Sequence, residues 1–312
     1  MPSRKEIEIA PGLPAKAAFQ SIASACLQQI LANKPAILAG DPEGIHQMRV
    51  GLRRLRTAIS LFADIAVDAK MAAIKRELKW LTSELGPARE FEVFLTRVVA
   101  PLGKQHTRLS GMRTLSRDLA DQREAAVARA LAAVSSRRFR ELTRNVAAWI
   151  ETGSWREPRR KLARESGEQP IETVARAQLK RRWKKIRKRG RRLAHLDPRA
   201  RHELRIRAKK LRYATEFYKT VFAGRKQAKR RVAFLSALKQ LQECLGELND
   251  IAVHGKLTTG IVEATATPTA RPSRRVFAAG LLAGHEEARF KPLLAAAEHA
   301  FAAFEKSAPY WK

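Results

Sequence analysis

Negative charge is what this chain lacks. Across 312 residues, 30 Asp and Glu stand against 62 Lys and Arg, giving a formal net charge of +32 and a pI near 11.2. Self-repulsion on this scale is most easily relieved by a polyanion, so the deficit argues about partners rather than fold. Cysteine is nearly absent too. Cys26 and Cys244 are the only two, both in apolar helical contexts, which argues against a disulfide framework and for a reducing compartment. No apolar run approaches the roughly 18 residues that span a bilayer. The N-terminal "MPSRKEIEIAPGLPAKAAF" has no signal-peptide core. The expectation is a soluble cytoplasmic protein with no membrane partner.

Strand patterning is also missing. The 16 Gly and 14 Pro are spaced like punctuation, and between them apolar residues recur at i, i+3, i+4 and i+7 with little β-branched alternation. The predicted fold is all-α. Helices are expected at about 13–33, 42–65, 70–85, 88–100, 105–134 and 137–150, then 171–195, 198–221, 226–245, 248–262 and 272–306. The polar stretch "ETGSWREPRRKLARESGEQP" reads as a linker over about 151–170. The expected organisation is a tail at 1–14, a first helical bundle at about 15–150 and a second at about 171–312.

What is present is a repeat. "DPEGIHQMRVGLRRLR" from Asp41 aligns without a gap on "DPRARHELRIRAKKLR" from Asp197, and "LKWLTSELGPAREFEV" from Leu78 aligns on "LKQLQECLGELNDIAV" from Leu238. The two motifs occur in the same order in both halves, which predicts a duplication with a pseudo-two-fold axis. Asp41 and Asp197 suit an N-cap, and Pro42 and Pro198 the first helical position. Gly86 and Gly246 are expected to end a helix as C′ residues, with Glu90 and Asp250 opening the next.

On a helix at about 100° per residue, with His46 at zero, Arg49, Arg53 and Arg56 fall within a stripe roughly 80° wide. Met48, Leu52, Leu55, Ile59 and Phe62 form the adjoining apolar stripe, while Arg54 lies apart at about 80°. The second copy repeats the stripe with His202, Arg205, Lys209 and Arg212. A solvated helix face mixes signs, because Glu and Lys four apart support each other. Here no acid occurs from Gly44 to Ala63. Losing that pairing at corresponding positions of two helices points to an anion site, and arginine's planar fork suits phosphate. One structural role stays open: Glu90 and Asp250 can each pair with an arginine of the preceding motif.

The histidines sit among cations rather than among converging ligands, which disfavours a metal. No nucleophile or carboxylate shares their face, which disfavours catalysis. From Lys180 to Arg212 there are 17 Lys or Arg against Asp197 and Glu203. Such a run suits nucleic acid, but Trp183 is the one aromatic before Tyr213, whereas single-strand binders interleave stacking platforms. A stripe beside its own core also does not protrude into a duplex groove.

These residues resemble the CHAD family, the conserved histidine α-helical domain. The likeness rests on "HQMRVGLRRLR" followed by "LGPARE" and "HELRIRAKKLRY" followed by "LGELND", with "SSRRFREL" at 135–142 similar to a later helix of the family. It covers about Ala15 to the C-terminus. The resemblance implies two bundles around a basic central groove or pore, and an association with inorganic polyphosphate and its granules. Carried over by position, the polyphosphate-binding candidates are His46, Arg49, Arg53, Arg54, Arg56 and Lys79 with His202, Arg205, Lys209, Lys210, Arg212 and Lys239. Some relatives carry a CYTH-type triphosphate-processing module; about a dozen residues precede the first helix here, so that activity is not expected. The reading is a binding protein with no cofactor and no metal. The alternatives are a nucleic-acid-binding protein and a polyphosphate phosphohydrolase.

Overall fold

The computed structural model describes residues 7–66, 68–157, 161–222, 224–265 and 274–312. Helix α1 is Ala15–Ala32, α2 Lys34–Leu38, α3 Pro42–Leu61, α4 Met71–Glu84, α5 Gly86–Phe94, α6 Ala100–Gln105, α7 Ser110–Ser135 and α8 Arg137–Thr152. Then follow α9 Lys161–Glu168, α10 Ile171–Gly190, α11 Pro198–Phe217, α12 Arg225–Thr265 and α13 Arg274–Lys306. No strand occurs among the described residues; an isolated antiparallel bridge pairs Pro14 with Pro170. The all-α expectation holds.

Two helix starts follow from their first residues. The Asp41 carboxylate accepts from the Glu43 N–H at 2.9 Å, and Asp197 from the Ala200 N–H at 2.7 Å, with Pro42 and Pro198 opening α3 and α11. From there the apolar stripe goes into the core as its periodicity demands. Met48, Leu52, Leu55 and Ile59 of α3 and Leu204 and Leu211 of α11 are all buried.

Three expectations need correction. Residues 151–170 are not a polar linker: they hold a 3-10 turn at Ser154–Arg156 and α9. Trp155 is only 1% exposed, packed on Phe19 with ring centroids 4.9 Å apart, and its indole N–H donates to the Trp149 carbonyl at 2.7 Å. Gly246 ends nothing, because α12 runs unbroken from Arg225 to Thr265 where two helices were expected. The first copy does break, with α4 ending at Glu84 and α5 starting at Gly86. The difference is one residue: Pro87 follows Gly86, and Glu247 follows Gly246. Proline has no N–H and its ring clashes with the preceding turn, whereas glutamate continues a helix. Glu90 and Asp250 therefore lie inside helices rather than at their N-termini.

The two halves share a core. Helix α3 packs on α1 and α2, α11 on α10 and α12, and α3 also meets α11 directly. At that meeting Gln178 donates to the Leu61 carbonyl and accepts from the Tyr218 hydroxyl, each at 2.7 Å. The contact brings the two copies of the basic motif onto neighbouring helices.

Candidate anion site

The stripes converge where α3 meets α11. Arg53 Nε donates to the Tyr213 hydroxyl at 3.4 Å. Arg53 also acts electrostatically on Arg49, Arg205 and Lys209, and Arg205 acts on Arg49 and Lys209. Cations of both motif copies thus share one partly buried cluster. Its electrostatics are unfavourable to its own charges. Burial first, then Arg53, lowers Arg49 to about 10. Burial, then Arg205 and Arg53, lowers Lys209 to about 7. Burial likewise lowers Arg205, opposed chiefly by Asp250. The Nε donors of Arg205 and Arg212 are buried and make no hydrogen bond among the described residues, a state that costs free energy until an acceptor reaches them.

The second motif pair explains how the arginines are seated. Arg49 Nη1 reaches the Thr82 carbonyl at 3.4 Å, and Nη2 lies 3.8 Å from Glu90 Oε1. A Cβ at Gly86 would stand 3.0 Å from Arg49 Nη1, and one at Gly246 would stand 3.9 Å from Arg205 Nε. The glycine of each second motif lies against the arginine of the first. Gly86 follows the end of α4 as expected and its approach is close, whereas at Gly246 the contact is ordinary van der Waals packing. Glu90 and Asp250 sit beside Arg49 and Arg205 as countercharges, so the structural role left open in the sequence is present. It is incomplete, since burial and like charges still lower both arginines.

The histidines differ. His46 is lowered by burial and then by Arg89, whereas the His202 ring Nδ1 is hydrogen-bonded to the Asn249 side chain. Arg89 and Asn249 occupy corresponding places in "LGPARE" and "LGELND". Sequence reasoning missed both, although they stand inside the quoted motifs; the signal was their shared register with the two histidines.

The remaining candidates divide. Arg54 is set apart from the cluster: it is 4% exposed, donates to Gln29 Oε1 at 3.0 Å and has its guanidinium 5.4 Å from the Phe217 ring centroid. Arg212 lies beside Tyr213, with its Nε 3.8 Å from Glu216 Oε1, and its charge further lowers Lys209. Lys210 is lowered by burial and by Arg182, Arg56 and Arg207, so it belongs to an adjoining group with the exposed Arg56. Lys79 is exposed one turn from Thr82 on the same face of α4. Lys239 is exposed one turn from Gln242 and faces Glu243 at 3.7 Å. Among the described residues no group of three or more His, Cys, Asp or Glu could hold a metal ion, and no helix is long and apolar enough to cross a membrane.

An all-α protein that gathers cations from two repeated motifs is the class that this fold and site define. The CHAD domain family matches residues 21–259, and the chain belongs to that family. It is similar to the crystal structure of the CHAD domain from the plant Ricinus communis, with 28% identity, a TM-score of 0.79 and 97% of each chain covered. It also shares its fold with PptA from Streptomyces chartreusis, at 17% identity and a TM-score of 0.69, covering 93% of this chain and all of that one. No curated protein sequence matches it.

Proposed function

We propose that this protein binds inorganic polyphosphate without transforming it, and does so at cytoplasmic polyphosphate granules. The observation that carries the reading is the convergence of Arg49, Arg53, Arg205 and Lys209 from two motif copies, with burial and mutual repulsion lowering Arg49, Arg205 and Lys209. A linear polyanion supplies closely spaced charge and acceptor oxygens and has no bases to stack. That chemistry suits a lining of Arg, Lys and His. Binding rather than turnover is the reading that the carboxylates favour: Glu90 and Asp250 each stand beside an arginine, an arrangement suited to countercharge rather than to holding Mg²⁺.

The test pairs affinity with melting. Arg49→Ala with Arg205→Ala is expected to weaken long polyphosphate at physiological salt by at least about tenfold, as loss of two charge-assisted contacts implies, with little change in Tm. Affinity for the unmodified chain should rise steeply from orthophosphate through triphosphate to the polymer and fall with salt. Unchanged affinity per folded molecule with a collapsed Tm would make both arginines structural. Triphosphate binding as tightly as the polymer would indicate a compact substrate pocket, and duplex DNA outcompeting polyphosphate would indicate a nucleic-acid protein.

A further inference from the structure

Helix α10 carries charge that the α3–α11 cluster does not use. Lys180, Arg181, Lys184, Lys185, Lys188 and Arg189 are all exposed, and no acid lies between Glu172 and Asp197. At the far end Arg187 and Arg191 meet Glu305, at 3.1 and 2.8 Å. A single-sign face of this kind destabilises an isolated helix, because residues four apart repel where they otherwise pair.

This face is continuous with the cluster. Arg56 follows Arg53 by three residues on α3, so the two share a side of that helix. Arg56 and Arg182 both act on Lys210. Arg182 itself leaves α10 to reach the Ser60 carbonyl of α3 at 3.5 Å, and its Nε is buried without a hydrogen bond among the described residues. From Arg182, Lys185 and Arg189 follow at i+3 and i+7, a row about 10 Å long on a helix rising 1.5 Å per residue. Arg53, Arg56, Lys210, Arg182, Lys185 and Arg189 thus form one cationic track across three helices, whose far end at Lys185 and Arg189 is exposed.

We propose that Arg182, Lys185 and Arg189 form a second segment of the anion site, which takes a linear polyphosphate too long for the α3–α11 cluster and leads it outward along α10. The inference rests on the cluster being a polyphosphate site. Its occupant is the same single polymer, because the track begins half-buried beside that cluster and carries no aromatic platform along the row. Short oligophosphates fill the cluster; each further unit of a longer chain meets α10.

The experiment compares the full chain with Lys185→Gln plus Arg189→Gln, two exposed positions whose change leaves the core intact, as a melting curve verifies. Affinities are measured for a short oligophosphate, a long polyphosphate and a duplex DNA at two salt concentrations. The double variant should lose at least about fivefold more affinity for the long polymer than for the oligophosphate. Its log–log salt slope for the long polymer should fall by roughly 1.4, about 0.7 per cation removed from a single-stranded polyanion site. Equal losses for both lengths, or none, would overturn the proposal while leaving the cluster reading standing. Loss confined to duplex DNA would assign α10 to nucleic acid and also overturn it. Failure of the unmodified chain to bind polyphosphate of any length would overturn the cluster reading and this inference together.

Discussion

Lys209 is only partly charged at neutral pH, because its surroundings oppose its charge. Burial and the neighbouring Arg205 and Arg53 bring it to about 7, from an ordinary value of 10.5. Because the folded pKa is the lower one, the unfolded chain binds the extra proton between about pH 7 and 10.5. The contribution of Lys209 to stability therefore rises with pH across that window and is least favourable below it. Binding runs the other way: affinity for polyphosphate should fall between pH 7 and 9 as Lys209 loses its charge. Burial and Arg89 lower His46 as well, disfavouring its charged form. Lys209→Met should flatten this pH dependence and weaken binding. It should also stabilise the ligand-free protein by about 1–2 kcal/mol at pH 6, as apolar replacements of buried charge can. Titration at several pH values and denaturant unfolding without ligand check the two halves of the expectation. Gly86 gives a second residue-level test. Gly86→Ala places a methyl 3.0 Å from Arg49 Nη1, whereas Gly246→Ala meets nothing nearer than Arg205 Nε at 3.9 Å. The first should lower polyphosphate affinity about threefold, as a displaced charge contact does. The second should leave affinity within about twofold and raise stability by about 0.5–1 kcal/mol, since alanine replaces glycine inside a long helix. Direct binding and melting of both variants decide it.

At the scale of elements, the sequence disclosed what one helix writes into its own period and hid what depends on a neighbour. Asp41–Pro42 and Asp197–Pro198 announced the starts of α3 and α11, and the 3.6-residue period announced which side of each is buried, because capping and amphipathicity are local. The stripe of Arg49, Arg53, Arg205 and Lys209 was legible for the same reason. The burial of Arg54 against Gln29 and Phe217 was not, since its place on the helix showed it apart from the stripe but not what it would meet. The segment 151–170 misled through composition: its charges outnumber its apolar residues, yet Trp155 anchors it under Phe19 and Trp149. Trp155→Ala should therefore cost about 3–5 kcal/mol, the range for removing a buried aromatic, where a surface linker would lose almost nothing. Chemical denaturation reads the difference. Gly246 misled because glycine marks both helix ends and close approaches, and only Pro87 in the other copy told the two apart.

For the whole molecule, the consequence lies in the contact between α3 and α11. The halves also pack through α7 and α13, but their cationic stripes converge at α3 and α11, so a ligand that neutralises the stripes relieves repulsion across that contact. On the proposed function, polyphosphate would thus couple binding to cohesion of the two halves, stabilising the fold in proportion to the logarithm of one plus free ligand over Kd. The formal charge of +32 sets a second quantity. On the proposed function, one molecule balances about 32 phosphate units of matching charge, more than a local cluster can touch, so a longer polymer exchanges its small counterions for several protein molecules along its length. On that reading the protein is a unit of composition as well as a receptor: the ratio of protein to polymer at which their charges match is set by the shortage of acidic side chains with which the sequence began.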